Sequence, residues 1–434
     1  MNQTKELTQS KNATIQQIVK KIISEGHVCN NCLGRQFANL STGFTNKERG
    51  QAIKLFILME NDANFKIKHI SNKKNDIQEY DLIGKDEVCW ICLNLFETLD
   101  EWTDKIVQEL EGIEYSTFLV GTKLSGLLSE NEEIVWSESH TPFAEPLKSE
   151  LNREVGKLIS KKTKKVVDFN QPDIVVILDL GDEKVTIQIR SVYIYGRYKK
   201  YIRGIPQTRW PCRKCRGSGC DTCNFTGKQY KESVDELISK EVIKFTNCID
   251  TKFHGAGRED IDALMLGEGR PFIIEAVNPI IRTFNVKDLE NAINSFANGK
   301  VEVIDLEFTK REKVEILKTT KASKAYKLKV IFDEKVEEDL LKSKVESLSC
   351  TEIKQRTPTR VLHRRADLIR KRTVQKAKLI EYCEEYATIE VYCDGGLYVK
   401  ELISGDEKRT NPSLTALIGI NAKVLDLDVI TVDL

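Results

Sequence analysis

The hydrophobic residues of this chain recur with two different spacings, and each spacing predicts its own kind of element. Apolar positions three to four residues apart are typical of amphipathic helices, and they predict helices over residues 13–25, 99–112, 145–161, 233–243, 286–297 and 335–345. Apolar runs bounded by turn residues are typical of strands, and they predict strands over residues 173–180, 184–190, 271–277, 301–308, 325–332, 387–393 and 424–433. The first two strands flank Gly181-Asp182-Glu183, so we expect a β-hairpin there.

The size and composition of the chain indicate a folded protein of several domains. At about 150 residues per domain, 434 residues suggest roughly three, and the composition changes after Tyr230, where we place a boundary. Hydrophobic residues make up 40% of the chain and charged residues 31%, which excludes disorder throughout. No apolar run approaches the ~18 residues of a membrane span, and residues 1–22 lack the apolar core of a secretion signal. We therefore expect a cytoplasmic protein that does not insert into membranes.

The charged residues are segregated along the chain, although their sum is only +1. Residues 191–231 (the first basic segment) and 354–378 (the second basic segment) each contain ten Lys or Arg residues and a single acidic residue. Aromatic residues interrupt the first segment: Tyr193, Tyr195, Tyr198, Tyr201 and Trp210. Cations that neutralise phosphates beside rings that stack on bases are typical of RNA-binding surfaces. The alternative is that both segments are ordinary solvated faces.

Eight of the twelve cysteines form Cys-x-x-Cys pairs, which indicates two metal sites. Cys29/Cys32 and Cys89/Cys92 are separated by 56 residues, whereas Cys212/Cys215 and Cys220/Cys223 are separated by four. Two such pairs complete a tetrahedral zinc site, and four thiolates leave no open position, so we expect both zinc ions to be structural. A disulfide framework is not expected in a reducing compartment, and the thioredoxin-like βαβ setting of a redox Cys-x-x-Cys is not apparent.

Residues 251–272 combine glycines with charged side chains in a pattern that indicates a chemical site. His254-Gly-Ala-Gly-Arg-Glu-Asp260 is followed by Leu266-Gly-Glu-Gly-Arg-Pro-Phe272. The segment lacks the Gly-Lys-Ser/Thr of a phosphate-binding loop and the strand–Gly-x-Gly-x-x-Gly–helix unit of a dinucleotide fold. What remains is a glycine-rich loop that presents Asp260 beside Arg258. Alternatively, the loop is a surface turn whose Arg and Asp form an exposed pair.

These two stretches closely resemble the catalytic loop of the archaeal and eukaryotic tRNA pseudouridine synthase family that acts on T-loop positions 54 and 55. Further stretches resemble the same family in the same order. They are Cys29-Asn-Asn-Cys-Leu-Gly-Arg35, Tyr195-Gly-Arg-Tyr-Lys-Lys-Tyr-Ile-Arg-Gly-Ile-Pro-Gln207, Gln355-Arg-Thr-Pro-Thr-Arg-Val-Leu-His-Arg-Arg365, and Tyr398-Val-Lys-Glu401 with Gly405-Asp406.

The resemblance implies an α+β, multidomain architecture. We expect a zinc-knuckle and THUMP-containing RNA-binding module over residues 1–208 and a Cys₄ zinc knuckle over residues 209–229. Residues 230–434 would form the catalytic domain, a bent mixed sheet with a cleft across its middle. The implied partner is tRNA, with no DNA and no membrane. The implied reaction is the isomerisation of uridine, which needs no organic cofactor, and zinc is expected only as a structural ion of the protein.

The resemblance also implies roles for individual residues. Asp260 would be the nucleophile, Tyr326 would stack on the flipped base and transfer a proton, and Lys400 would hold the carboxylate ionised. Val399 and Leu427 would form an apolar floor. The implied RNA contacts are Arg258, His363, Arg364 and Arg365, with Arg197 and Arg203 in the first basic segment. Without the resemblance, the preferred interpretation of Tyr326 is a cross-strand aromatic residue, and Lys400 is typical of a surface lysine.

One position departs from the family, since Leu264 stands where its members usually carry Arg in an Asp-x-Arg sequence. The departure puts one RNA contact, and the choice between positions 54 and 55, in question. Two other functions stay open at this point. A different THUMP-type tRNA modifier would need a nucleotide-binding βαβ unit or a catalytic cysteine loop, and a zinc-stabilised tRNA-binding protein would use the glycine-rich loop only as a turn.

Overall fold

A computed structural model describes residues 14–71 and 87–433, and the chain divides between Arg190 and Ser191 into two units. Residue 13, the first of a predicted helix, and most of the region considered as a secretion signal lie outside the described residues. None of the helices formed by residues 14–71 and 87–433 is long and apolar enough to cross a membrane.

Within residues 14–71 and 87–190, six helices build much of the N-terminal unit. They are α1 (Ile15–Ser24), α2 (Asn30–Arg35), α3 (Asn46–Ser71), α4 (Leu99–Glu109), α5 (Gly126–Ser139) and α6 (Leu147–Thr163). The predicted helices at 13–25, 99–112 and 145–161 are confirmed as α1, α4 and α6, with ends that differ by at most three residues. A capping box between Thr14 and Gln17 starts α1, and the helix buries Ile18 and Ile22.

A four-stranded sheet completes the N-terminal unit. Its strands are β1 (Thr117–Lys123), β2 (Val166–Val167), β3 (Ile174–Asp179) and β4 (Lys184–Ile189), in the order β2-β1-β3-β4. β1 runs parallel to both of its neighbours, and β3 and β4 form the predicted antiparallel hairpin. Ile174, Val176 and Leu178 alternate along β3 and are buried, because successive side chains of a strand point to opposite faces.

The C-terminal unit is built on a ten-stranded sheet. Its strands are β5 (Val192–Lys200), β6 (Asp250–Gly255), β7 (Leu264–Val277), β8 (Val301–Thr309), β9 (Ser323–Phe332), β10 (Thr351–Arg356), β11 (Ile369–Tyr382), β12 (Ala387–Cys393), β13 (Thr410–Asn411) and β14 (Ala422–Asp433). The order is β13-β10-β11-β12-β9-β14-β7-β5-β8, and β6 pairs with β7. Only the β14–β7 pairing is parallel among these strands, so the sheet is mixed, as predicted.

Six helices pack around the sheet of the C-terminal unit. They are α7 (Val234–Thr246), α8 (Val286–Ala297), α9 (Glu312–Thr319), α10 (Glu338–Glu346), α11 (Val399–Ser404) and α12 (Leu414–Ile418). Two hydrophobic cores result, one around β5, β7 and β8 with α7 and α8, the other around β9 to β12 with α10 to α12. Tyr326 packs against both cores, which places it at the middle of the sheet.

The sheet forks at β7, because three strands share the two edges of that strand. β5 pairs along one edge over most of the length of β7. On the other edge, β6 pairs with residues 272–277 and β14 pairs with Leu264 and Met265. The loop of residues 256–263, which connects β6 to β7, therefore emerges at the gap between β6 and β14.

The first strand of the large sheet begins earlier in the chain than the domain boundary placed by the sequence. Residues 191–208 are assigned above to the RNA-binding module, yet β5 lies between β7 and β8. The physical reason is its alternation, since Ile194, Tyr198 and Lys200 are fully buried while Tyr195, Arg197 and Lys199 are more exposed. In the sequence, the interleaved aromatic and basic residues of this segment indicated RNA binding. In the structure, residues 192–200 form a strand of the large sheet.

The backbones of α2 and α3 touch in the N-terminal unit because each helix has a glycine at the contact. A methyl group on Gly34 would come to 1.8 Å from the carbonyl oxygen of Asn46, and one on Gly50 to 1.9 Å from that of Asn30. No side chain fits at either position, so the two glycines set the distance between these helices, and α2 carries Cys32.

We expect Gly50→Ala to destabilise the N-terminal unit by about 3 kcal/mol, because overpacking forces backbone shifts. Urea unfolding followed by circular dichroism measures the change. Gly126→Ala is the matched control, since nothing lies within 4 Å of a methyl group there, and it should leave stability unchanged or slightly raised. Equal stability of the two variants would contradict the close contact.

Candidate active site

The loop of residues 256–263 carries Asp260. A cluster of buried side chains holds the residues of this loop that precede Asp260. Glu259 is buried and forms an ion pair with Arg270 of β7, with 2.9 Å between Oε2 and Nε. The hydroxyl group of Tyr198 donates to the same carboxylate at 2.7 Å. Gln207 donates to the Tyr198 oxygen at 2.8 Å and to the Gly257 carbonyl oxygen at 3.0 Å. These contacts fix Glu259, the residue immediately before Asp260.

Three cations from the segment around β5 hold backbone carbonyl groups of the same region. The buried Lys200 ammonium donates to the carbonyl oxygens of Ile261 at 3.2 Å and Asp260 at 3.4 Å. Arg203 donates to those of Asp262 at 2.6 Å and Leu427 at 3.1 Å. Arg197 donates to one carbonyl oxygen of β7, that of Gly269 at 2.9 Å, and to one of β14, that of Val432 at 3.1 Å. Side chains of the first basic segment thus stabilise the backbone of the site.

The side chain of Asp260 lies in a cavity of about 750 Å³, between two cations. Its Oδ2 atom is 3.4 Å from Nζ of Lys400 and 3.6 Å from Nη1 of Arg360. Arg360 is itself held by the buried carboxylate of Glu401 at 2.6 Å, and Lys400 also reaches Asp262 at 2.9 Å. The carboxylate of Asp260 is 39% exposed, so it is both paired and accessible from the cavity.

Tyr326 and apolar side chains form further walls of the cavity. Tyr326 lies on β9, paired with Val391 on one side and Val429 on the other. Burial raises the pKa of its phenol, and the neighbouring Cys393 and Asp260 add to that rise. Val399 at the start of α11 and Leu427 on β14 are buried and line the same space.

The structure gathers most of the predicted site residues but not all of them. The cavity is lined by Asp260, Tyr326, Lys400, Val399, Leu427, Arg258 and Arg365. Among the described residues, Arg197, Arg203 and His363 do not line it, and His363 is exposed. The side chain of Arg364 lies outside the described part of the structure. Leu264, at the departure from the family, is the first residue of β7 and pairs with Asp428.

Several lining residues were given no role at the site from the sequence: Glu259, Arg270, Lys324, Arg360, Arg370 and Arg372. Trp210, which also lines the cavity, was named only among the aromatic residues of the first basic segment. The basic segments were a signal for the arginines, but not for which of them face inward. Arg258 stacks over the ring of Trp210, 4.8 Å from its centroid. In total, eight Lys or Arg residues and three acidic residues line the cavity. This excess of positive charge suits a polyanionic substrate.

The eight paired cysteines form two clusters, and each has the geometry of a tetrahedral thiolate site. Within each cluster all four Sγ atoms lie within 4.8 Å of one another. The Sγ distances are 3.7 Å for Cys29–Cys92 and 3.9 Å for Cys212–Cys220, close to the ~3.8 Å that a metal–sulfur bond of about 2.3 Å imposes on a tetrahedron. The chemistry and spacing of both clusters therefore fit a metal ion.

Backbone N–H groups surround the sulfurs of the second cluster, which joins β5 to α7. Cys215 Sγ accepts from Gly219 at 3.2 Å, and Cys223 Sγ accepts from Gly227 at 3.2 Å. Such bonds stabilise thiolates. The same segment positions Trp210, whose carbonyl oxygen accepts from the backbone N–H of Gln229 at 2.9 Å. The second cluster is thus connected to one wall of the cavity.

Comparison with known proteins identifies both units. The family model described as "Pus10, C-terminal" matches residues 193–433, and that described as "Pus10 THUMP domain, archaeal" matches residues 102–179. Curated relatives named tRNA pseudouridine synthase Pus10 match nearly the whole chain. The protein of Methanothrix thermoacetophila is 49% identical over 95% of this chain and 93% of its own. Those of Halorubrum lacusprofundi and Methanopyrus kandleri are 40% and 41% identical, over 96% and 95% of this chain and 96% and 97% of theirs.

The mixed sheet, the carboxylate in its cavity and these relatives place the chain in the class of pseudouridine synthases. Within that class, it belongs to the Pus10 family. The prediction of an RNA-modifying isomerase with a THUMP domain is confirmed. The family also decides against the two other functions that the sequence left open.

We expect Glu259→Gln to destabilise the C-terminal unit by about 3 kcal/mol, because removing one partner of a buried ion pair leaves the charge of Arg270 in the core. Urea unfolding measures the loss. Glu268→Gln, on a side chain that is 76% exposed, is the control and should change stability by less than about 0.5 kcal/mol. A Glu259→Gln variant as stable as the control would contradict the anchoring role of this pair.

Proposed function

We propose that this protein converts uridine to pseudouridine in the T-loop of tRNA, at position 54, position 55 or both, with Asp260 as the nucleophile. The observation that carries the proposal is the Asp260 carboxylate, which lies in the cavity between Lys400 and Arg360 at 3.4 and 3.6 Å. Asp260 occupies the position of the nucleophile in the loop that resembles the family.

The reaction explains why a carboxylate is used. The bond from ribose C1′ to N1 of the base breaks and a bond from C1′ to C5 forms, with no net redox change, so no electron carrier is needed. An ionised carboxylate adds to C1′ or C6 or assists the detachment of the base. Two cations within 4 Å of the carboxylate orient it toward the cavity.

Tyr326, Val399 and Leu427 suit the handling of a base that has left the RNA stack. A flipped base needs a surface to stack on, and Tyr326 offers its ring in the cavity wall. Because burial raises the pKa of its phenol, the hydroxyl group stays protonated near neutral pH and can donate. Val399 and Leu427 exclude water from the base, which strengthens the electrostatic interactions around it.

The charge of the cavity supports tRNA as the substrate. Arg365, Arg370 and Arg372 of the second basic segment line it, and guanidinium groups bind phosphates through paired hydrogen bonds. The THUMP domain of the N-terminal unit would supply a second RNA contact. Phosphate contacts fix the register of the RNA while the cavity selects one base. Arg258 and Arg365 would contact the RNA at the cavity.

We further propose that both cysteine clusters hold zinc. Four thiolates and no oxygen or nitrogen ligand favour zinc among the common divalent metals, and four protein ligands leave no position for substrate. The metal ions would then be structural. Cys29, Cys32, Cys89 and Cys92 would hold one, and Cys212, Cys215, Cys220 and Cys223 the other.

We expect Asp260→Asn to bind unmodified tRNA with a Kd within about threefold of the parent protein but to form no pseudouridine, because the amide is not a nucleophile. Carbodiimide mapping of the tRNA after incubation without any cofactor measures the product and its position. Asp288→Asn, an exposed carboxylate at the start of α8, is the matched control and should keep full activity. Turnover by Asp260→Asn would refute the assigned role.

We expect the purified protein to contain two zinc ions per chain by metal analysis, and Cys220→Ser to contain one. Because Trp210 depends on the second cluster, the same variant should also lose activity. Cys350→Ser is the control, since Cys350 is exposed and belongs to neither cluster, and it should keep both ions. A Cys220→Ser protein with two zinc ions would contradict the ligand assignment.

A further inference from the structure

Lys324 is a cation of the cavity to which the mechanism above gives no task. It lies on β9 two residues before Tyr326, so the two side chains share a face of the strand, and both line the cavity. Within residues 14–71 and 87–433, no hydrogen bond or ion pair involves its ammonium group. Lysines in protein interiors normally find a partner or reach solvent. An ammonium group at the cavity wall without a protein acceptor is free to bind an acceptor that the substrate supplies.

The catalytic loop is shaped around this ammonium group. A methyl group on Gly257 would come to 2.9 Å from Nζ of Lys324 and 3.4 Å from Nη1 of Arg270. Gly257 also has a φ angle of +75°, which side chains other than that of glycine rarely adopt. Gly257 therefore leaves room for Lys324 beside the loop, three residues before Asp260.

The charged groups that face Lys324 do not neutralise it. Arg270 repels it, and Glu259 is already bound by Arg270 and Tyr198. Cys393 lies opposite Lys324 on the neighbouring strand β12. Burial raises the pKa of the Cys393 thiol to about 12, so the thiol is neutral. Burial, with Arg270, lowers the pKa of Lys324 to about 8. The ammonium form thus persists at neutral pH and is available to an incoming anion.

The reaction creates negative charge at atoms that an ammonium group can reach. When the C1′–N1 bond breaks, its electron pair stays on the base and spreads over N1, O2 and O4. If a carboxylate adds to C6 instead, the electron pair of the C5–C6 double bond moves toward O4. Both paths put negative charge on a carbonyl oxygen of uracil, so the demand for a donor there does not depend on the path.

We propose, on the basis of the proposed function, that Lys324 donates to a carbonyl oxygen of the flipped uracil and stabilises the negative charge that develops on the base. Lys324 stays protonated throughout. The C1′–N1 bond breaks, the C1′–C5 bond forms, C5 loses its proton and N1 gains one, so atoms and electrons balance without a co-reactant. Lys324 would act on the base, whereas Lys400 and Arg360 act on Asp260.

Single-turnover kinetics with unmodified tRNA test this role. Lys324→Met should lower the rate of pseudouridine formation by about a hundredfold, as the loss of one donor to a developing anion does elsewhere, with tRNA affinity changed less than threefold. Lys324→Arg should keep more of the rate because it keeps the charge. Lys327→Met is the matched control, since Lys327 is an exposed lysine on the opposite face of β9, and it should keep the parent rate.

Two further readouts distinguish charge stabilisation from packing. Substrate with 5-fluorouridine at the target position carries a base that holds negative charge better, so the defect of Lys324→Met in base detachment should shrink several-fold. In the parent protein, kcat/KM should fall as the pH rises through about 8, where Lys324 loses its proton. In Lys324→Arg, this fall of kcat/KM should occur at higher pH, because a guanidinium group stays charged.

The outcomes separate this inference from the proposed function. If the parent protein forms no pseudouridine, the proposed function fails, and this inference fails with it. If the parent is active and Lys324→Met matches it, only the role of Lys324 is overturned. An equal defect of Lys324→Met with uridine and 5-fluorouridine, or a fall of kcat/KM at the same pH in Lys324→Arg, would also overturn it.

Discussion

The buried ion pair between Glu259 and Arg270 is the contact on which the rest of the site depends. Arg270 lies on β7 at the fork of the sheet, and Glu259 immediately precedes Asp260. Tyr198 of β5, the strand that pairs with β7, donates a hydrogen bond to the Glu259 carboxylate of this pair. A buried charge pair fixes geometry more than it adds stability. Here it ties the loop to the strand that both halves of the sheet share.

Around this anchor, the cations in and near the cavity have different tasks. Arg270 and Lys200 are buried and bind protein groups only, whereas Arg360 and Lys400 approach Asp260 from the 3₁₀ helix Thr359–Arg364 and from α11. Lys324 has no protein acceptor among the described residues. In our proposal, the order runs from cations that position the loop, through cations that orient the carboxylate, to Lys324, which would face the substrate. Such a gradient would keep positive charge near the base without neutralising Asp260 through one tight ion pair.

The sequence predicted the local features of this protein well and the long-range ones poorly. Helices such as α8 and the β3–β4 hairpin follow from periodicity because neighbouring residues decide them. The cysteine clusters follow from spacing within each pair. Asp260 was found only through the family resemblance, since a glycine-rich loop with one Asp and one Arg is also an ordinary turn. The roles proposed for Asp260, Tyr326 and Lys400 remain predictions, although the structure brings the three residues into one cavity.

What local patterns could not predict is which residues meet across strands. The placement of β5 depends on its register with β7, and the inward position of Lys324 depends on the pairing of β9 with β12 and β14. The sequence treats Arg197 and Arg203 as RNA contacts because they lie in a basic segment. Their guanidinium groups bind carbonyl oxygens at least 59 residues away along the chain, which no local signal reveals.

The position of β14 has a consequence for how the protein is made. Residues 422–433 form the strand that lies between β9 and β7, and Leu427 on it completes a wall of the cavity. During synthesis, both halves of the sheet leave the ribosome before the strand that joins them exists. Pairing over such sequence distances is slow, so each half of the sheet has an unpaired edge until β14 is in place. The cavity is therefore complete only after this strand has joined the two halves of the sheet.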